Sequence, residues 1–371
     1  MRIGVPKEIK THENRVGLTP SSVRELTVHG HQVMVQKNAG LAINLDDGRY
    51  QAAGAEIVET AEEIFAQAEL IVKVKEPQPE ELKLLRADQI LFTYLHLAPD
   101  PAQAEALLES GCIAIAYETV TDQYGGLPLL APMSEVAGRM SIQAGAHALE
   151  MDQGGRGMLL GGVSGVPSAK VVILGGGVVG TNAARVAMGM EAHVTVIDKS
   201  IHRLQQLDLQ YGSRINTVFS TVDAIEEQVS EADLVVGAVL VPGGSTPKLV
   251  SHKLVENMNR GAVLVDVAID QGGCFATSRP TTLANPIYIL DDVVHYCVSN
   301  MPGAVARTST FALNNVTLPY VLSIAEKGGQ GALIDDPHLR NGLNVYQGQI
   351  THQAVAHDLG LLYVDPQELL R

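Results

Sequence analysis

Apolar positions along the chain fall into short β-branched runs separated by stretches with helical spacing. Up to residue 120 the candidate strands are "RIGV", "QVMVQ", "LIVKVK", "QILFTYLH" and "IAIAYE". A second series follows residue 168: "KVVILG", "HVTVID", "INTVFS", "LVVGAVL", "AVLVDVAI" and "HYCVSN". Strands that alternate with helices throughout predict parallel α/β layers rather than sandwiches or bundles. Between the two series, "PMSEVAGRMSIQAGAHALEM" has helical periodicity and runs into the Gly-rich loop "DQGGRGMLLGGVSGVPSAK". After residue 305, "TSTFALNNVTLPYVLSIAEKG" is again helical, and the tail to Arg371 offers no new strand series. That tail cannot form a third α/β domain, so it is expected to pack back on the first. The expected fold class is α/β, with two Rossmann-like parallel-sheet domains joined by long helices across a cleft. Residues 1–130 and 305–371 form a discontinuous substrate domain in this reading, and residues 131–304 a dinucleotide-binding one.

Charge and cysteine content narrow the function classes. A formal net charge of −15 lacks the basic footprint that phosphate backbones or anionic membrane surfaces require, so nucleic acid and membrane are excluded as expected partners. No apolar stretch approaches the roughly 20 residues of a bilayer span, and the start "MRIGVPKEIK" has no secretory pattern, which predicts a cytoplasmic protein. Cys112, Cys274 and Cys297 are odd in number and never in C-x-x-C spacing, as fits a reducing compartment. The histidines match no metal-ligand spacing, and no metal site is expected.

The strongest local signal is "KVVILGGGVVGTNAARVAMGMEAHVTVID". Gly175, Gly177 and Gly180 stand at G-x-G-x-x-G spacing, after an apolar strand and at the start of a helical segment. The first glycine allows a tight turn, the second a close approach of main chain to a pyrophosphate, and the third close packing of helix on strand. The helix N-terminus then presents unpaired N–H groups to the phosphates. Asp198 ends the next strand, where a carboxylate accepts the hydroxyls of an adenosine ribose and repels a 2′-phosphate. NAD is therefore expected over NADP, with Lys199 and Arg203 nearby working against that preference.

Ligands of open α/β sheets bind outside the carboxyl ends of the strands. Those ends carry Lys75 and His96 in the first series, and Ser220, Val239, Leu240, Asp270, Ser299, Asn300 and Met301 in the second. Three of these, and Arg15, have plainer alternatives. His96 reads equally as a hydrogen-bonded core histidine. Lys75, alternating with Lys73, reads as an edge-guarding lysine. Asp270 before Gln-Gly-Gly reads as a turn residue. Arg15, ahead of a helix start capped by Thr19 with Pro20 in its first turn, reads as a solvated surface charge.

Taken together, "MRIGVPKEIKTHENRVGLTP", "VKVKEP", "YLHLA", "APMSEVAGRM", "MLLGGVSGVPSAKVVILGGGVVG", "DVAIDQGG" and "NMPGAVARTST" resemble the alanine dehydrogenases, a family related to the NAD(H)-binding subunit of proton-translocating transhydrogenase. The resemblance spans essentially the whole chain. It implies Arg15 and Lys75 as the residues that hold the substrate, His96 as acid/base and Asp270 as a second catalytic group. It also implies a dinucleotide surrounded by Ser134, Val178, Val179, Asp198, Arg203, Ser220, Val239, Leu240, Val267, Ala268, Ile269, Asp270, Arg279, Val298, Ser299, Asn300 and Met301. The implied reaction is NAD-dependent oxidative deamination of L-alanine to pyruvate and ammonium through an imine, with its reverse, in a homohexamer. Three other readings compete: a transhydrogenase subunit, a saccharopine-type lysine-forming dehydrogenase, and a silent nucleotide-binding scaffold. Transhydrogenase-like subunits carry an Arg-Ala-Gln run where this chain has "APMSEVAGRM", which favours the dehydrogenase.

Overall fold

The structure, a computed structural model, describes residues 1–239 and 246–371. Two compact units divide the chain, Met1–Met133 with Val305–Arg371, and Ser134–Ala304. The chain leaves the first unit within a helix, Ala131–Ala148.

In the first unit, strands β1 (Arg2–Val5), β2 (Gln32–Gln36), β3 (Glu56–Val58), β4 (Leu70–Val72), β5 (Ile90–Thr93) and β6 (Ile113–Ala116) are all parallel. Their spatial order is 3-2-1-4-5-6, so the winding reverses between β1 and β4. In the second unit, β7 (Lys170–Leu174), β8 (His193–Asp198), β9 (Asn216–Phe219), β10 (Leu234–Gly237), β11 (Val263–Asp266) and β13 (Val293–Tyr296) repeat that order, with β12 (Ile287–Leu290) antiparallel on the β13 edge. This is the doubly wound order of dinucleotide-binding sheets, and its switch point lies between β7 and β10.

Continuous apolar strands are explained by burial on both faces. Val171, Ile173, Val194, Val196, Val236 and Val265 enter one core, whereas Val172, Leu174, Ile197, Val235 and Leu264 enter another. Successive side chains of a strand point to opposite faces, so a sheet covered by helices on both sides needs every position apolar.

The tail differs from expectation. After the helix Ala306–Asp335, broken at Gly328 (φ 74°), β14 (Leu343–Tyr346) pairs antiparallel with β6, and β15 (Gln349–Ile350) follows it. The tail does return to the first unit, but it brings two strands. Asn344 interrupts the apolar run of β14, and the two residues of β15 are too few for a periodicity to register. Nor do β3, which opens on exposed Glu56, and the half-exposed edge strand β12 stand among the expected strands.

Candidate active site

The loop after β1 runs over the switch point of the first sheet before Thr19 caps the helix Pro20–Val28. Arg15 on this loop is not a surface charge: it is 2% exposed. Glu13 Oε1 accepts its main-chain N–H (3.0 Å) and Nε–H (2.7 Å), and Glu13 Oε2 accepts from Nη2 (2.6 Å). Its Nη1 faces Met133 Sδ at 3.1 Å, a weak acceptor. Burial works against the guanidinium charge, but the Glu13 hydrogen bonds and charge outweigh it and hold the pKa above its ordinary value.

Lys75 follows β4, which lies in the middle of the sheet, so the edge-guard reading fails for it and for Lys73. Lys73 is fully buried, with its ammonium 3.1 Å from Glu8 Oε2 and 2.8 Å from Glu81 Oε1. Glu8 Oε1 accepts the main-chain N–H groups of Val74 (2.7 Å) and Lys75 (3.3 Å), which fixes the strand end that presents Lys75. Desolvation pushes the Lys75 ammonium below its ordinary pKa; Arg15 and Lys10 push the same way, while Glu76 and Glu13 oppose.

His96 follows β5. It is exposed, which excludes the core-histidine reading, and its φ is +49°. Tyr94 relates it to Arg15: the Tyr94 and His96 ring centroids are 5.8 Å apart, and the Arg15 charge reaches the buried Tyr94 hydroxyl. Arg15, Lys75 and His96 thus occupy one carboxyl edge. A cavity of about 280 Å³ opens beside Arg15, but Glu8 and Glu13 share its walls and Lys75 and His96 do not line it. Its two carboxylates offset the charges of Lys7 and Arg15, which also line it.

In the second unit, Gly175 has φ +101° and Gly177 is the N-cap of the helix Val178–Gly189. A Cβ on Gly180 would stand 1.8 Å from the Gly175 carbonyl oxygen, so only glycine permits this approach of helix to turn. Among the described residues nothing lies within 4 Å of a Cβ position on Gly177, and Val178 beside it is exposed. As far as the described residues go, the cradle is open where a pyrophosphate would meet main chain, and a dinucleotide fits it. Asp198 Oδ2 accepts the Gly176 N–H (2.7 Å) and Oδ1 the Ser200 N–H (2.8 Å), with lone pairs remaining for ribose hydroxyls. Arg203 braces the loop: Nε donates to Gly176 O (2.6 Å), Nη2 to Thr181 Oγ1 (2.6 Å) and Nη1 to Gln206 Oε1 (2.7 Å).

Most of the other predicted cofactor residues follow strands of the same sheet at its carboxyl edge. Ser220 follows β9 and Val239 follows β10; residues 267–270 follow β11, and residues 298–301 follow β13. Ser134 lies half-buried on the helix Ala131–Ala148. Ile269, Val298 and Met301 are buried. Asp270 is exposed in a short 3-10 turn, Ile269–Gln271. Arg279 stacks over Tyr288 at 4.2 Å, on the β12 side of the sheet. Leu240 lies outside the described residues.

Four carboxylates with evident site roles were not singled out from sequence: Glu8, Glu13, Glu118 and Asp266. Asp266 is fully buried; Oδ2 accepts from Cys274 N (2.9 Å), Phe275 N (3.4 Å) and Ser278 Oγ, and Oδ1 from Ala268 N (3.2 Å), stapling the loop that carries Asp270. A scan for reactive groups overlooks acids whose partners are main-chain amides. The short spacing of "ENR" was the one available hint for Glu13. Elsewhere, exposed His252, Glu256 and Asp291 bring one ligand-type atom each within 4.8 Å of one another, a grouping across 39 residues that no spacing rule detects.

A glycine cradle at one switch point and a cluster of cations with a histidine at the other define a nicotinamide-nucleotide-dependent oxidoreductase. Comparison with known proteins makes this specific. Residues 4–137 match the model "Alanine dehydrogenase/PNT, N-terminal domain", and residues 141–353 match "Alanine dehydrogenase/PNT, C-terminal domain". The alanine dehydrogenase of Halomonas elongata is 59% identical over 370 residues, covering 100% of both chains. That of Bacillus subtilis is 53% identical, covering 100% of this chain and 98% of its own. A solved L-alanine dehydrogenase superposes with a TM-score of 0.95 at 52% identity, covering 97% of this chain and 99% of that one. A transhydrogenase from Sinorhizobium meliloti shares the fold alone, with a TM-score of 0.81 at 22% identity over 95% of this chain and 100% of that one. The chain belongs to the alanine dehydrogenase/PNT family.

Proposed function

We propose that this chain catalyses the NAD-dependent oxidative deamination of L-alanine to pyruvate and ammonium, and the reverse reductive amination. Identity of 59% over the whole length of an alanine dehydrogenase carries the reading. The unit of residues 1–130 and 305–371 binds the amino acid, and residues 131–304 bind the dinucleotide. Arg15 and Lys75 hold the substrate carboxylate and carbonyl: the guanidinium supplies paired donors, and an anion gives the Lys75 ammonium the countercharge that burial makes it need. His96 moves protons to and from the substrate amine and the water that hydrolyses the imine, since imidazole changes charge near neutrality. Asp270 favours the developing cationic nitrogen or orders that water. Bound nicotinamide supplies the acceptor for the hydride from Cα. NAD is preferred because the Asp198 carboxylate opposes a 2′-phosphate and Arg203 is engaged with Gly176 and Thr181. The family resemblance supports a homohexamer, and three buried free cysteines suit a reducing cytoplasm.

His96→Ala tests the assignment. Alanine-dependent NADH formation is expected to fall by at least about 100-fold, while NADH binding stays within about twofold of the parent. Turnover retained in the variant removes His96 from the mechanism. Hydride exchange between nucleotides without alanine would instead favour a transhydrogenase-type carrier.

A further inference from the structure

We propose that Glu118 is a positioning residue for His96: its carboxylate occupies a main-chain nest and holds the histidine in a left-handed conformation that aims the imidazole. The inference rests on the reading of His96 as acid/base. A histidine at φ +49° is strained by about 1–2 kcal/mol, so surrounding contacts must select that conformation. Those contacts are in place. Glu118 Oε1 accepts the His96 N–H at 2.6 Å and the Leu95 N–H at 3.1 Å, and Oε2 lies 3.2 Å from the same Leu95 nitrogen. Successive amides converging on one anion form the concave nest that main chain makes around negative charge. On the opposite side of the peptide, Gln103 is 2% exposed and donates from Nε2 to the Leu95 carbonyl at 2.7 Å. Both donors and the acceptor around Leu95 and His96 are thereby committed.

Topology places the brace. Glu118 sits in the turn Tyr117–Thr119 directly after β6, and β6 pairs with β5 in parallel register, Thr93 beside Ala116. Two residues past the register end on one strand reach three residues past it on the other. The neighbouring strand, not the histidine's own segment, therefore sets where the imidazole stands. The ring itself is exposed, with the Tyr94 ring beside it, and the Glu118 contacts act on the main chain that carries it.

A positioning role and a purely structural one separate in the kinetics. In the full-length protein, Glu118→Ala is expected to lower kcat for alanine oxidation by about 10–100-fold, with alanine KM and NADH affinity within about threefold, because misplacement of a reacting group by about 1 Å costs that much. Glu118→Gln keeps one acceptor oxygen at the same reach and is expected to recover kcat to within about fivefold of the parent. Gln103→Leu, which removes the carbonyl's donor, is expected to lower kcat in the same sense and serves if the alanine variant fails to fold. A kcat within twofold of the parent in Glu118→Ala, or in Gln103→Leu where only that variant folds, overturns the inference. So does a glutamine variant as slow as the alanine one. His96→Ala measured alongside keeps the two claims apart: a slow His96→Ala with a fast Glu118→Ala refutes only the brace, whereas a fast His96→Ala refutes the acid/base reading itself.

Discussion

Replacing Gly177 by alanine separates binding from folding at the cofactor loop. The added methyl meets no atom of the described residues within 4 Å, and the residue's φ of −67° and ψ of −159° suit any L-residue. The folded chain should therefore lose under about 1 kcal/mol, the difference between glycine and alanine at a helix N-cap, or about 2–4 °C in Tm at most. A pyrophosphate approaching the N-terminus of the helix Val178–Gly189 meets that methyl directly. Forfeiting one or two charge-assisted hydrogen bonds costs about 2–3 kcal/mol, so the NADH Kd should rise about 30- to 150-fold. The chain has no tryptophan, so NADH fluorescence enhancement reads the Kd without energy transfer from indole. Gly180→Ala is the contrasting control: its Cβ at 1.8 Å from a carbonyl oxygen must displace backbone, and Tm should fall well beyond that of Gly177→Ala. An unchanged Kd in Gly177→Ala, with the fold intact, would refute the placement of the phosphates at this turn.

Two further outcomes follow from the buried charges. Glu13→Ala removes the carboxylate on which two guanidinium nitrogens of Arg15 rest; breaking a buried pair costs about 3–5 kcal/mol, so Tm should drop and alanine KM should rise at least about tenfold with NADH Kd unchanged. Parent-like alanine KM would detach Arg15 from substrate binding. Buried His295, bonded to Val293 O and Thr277 Oγ1, has its pKa pushed below 6.5 by desolvation. With the folded value below the unfolded one, the unfolded chain binds the extra proton first, so this group's contribution is complete above about 6.5 and is lost as pH falls from there through the lower folded value. His295→Gln should lose fewer degrees of Tm between pH 7.5 and 5.5 than the parent, with a residual slope because burial depresses His352 likewise. Equal slopes would show that His295 does not couple folding to protons.

Both sheets were legible because most of their strand positions are apolar, and the cofactor turn because three glycines and Asp198 keep fixed spacing. Arg15, Lys75 and His96 were legible as strand-end polar groups and through the family motifs. Their surroundings were not. Composition made Arg15 a surface charge, whereas Glu13 buries it; the Lys73 alternation suggested an edge, whereas Glu8 and Glu81 neutralise that lysine in the core. Long-range pairing of this kind leaves no periodic trace: Glu8 and Val74 are 66 residues apart and Glu118 and His96 are 22 apart. Secondary structure is written locally, but the orientation of a reactive group is written by whichever segment the winding puts beside it.

The pairing of β14 with β6 has a consequence for synthesis. Residues 113–116 must wait for residues 343–346 to leave the ribosome before that flank of the first sheet is covered, while the second unit can complete itself from contiguous chain. An uncovered strand invites association with other nascent chains, so the order of folding is expected to run from the middle of the polypeptide outward.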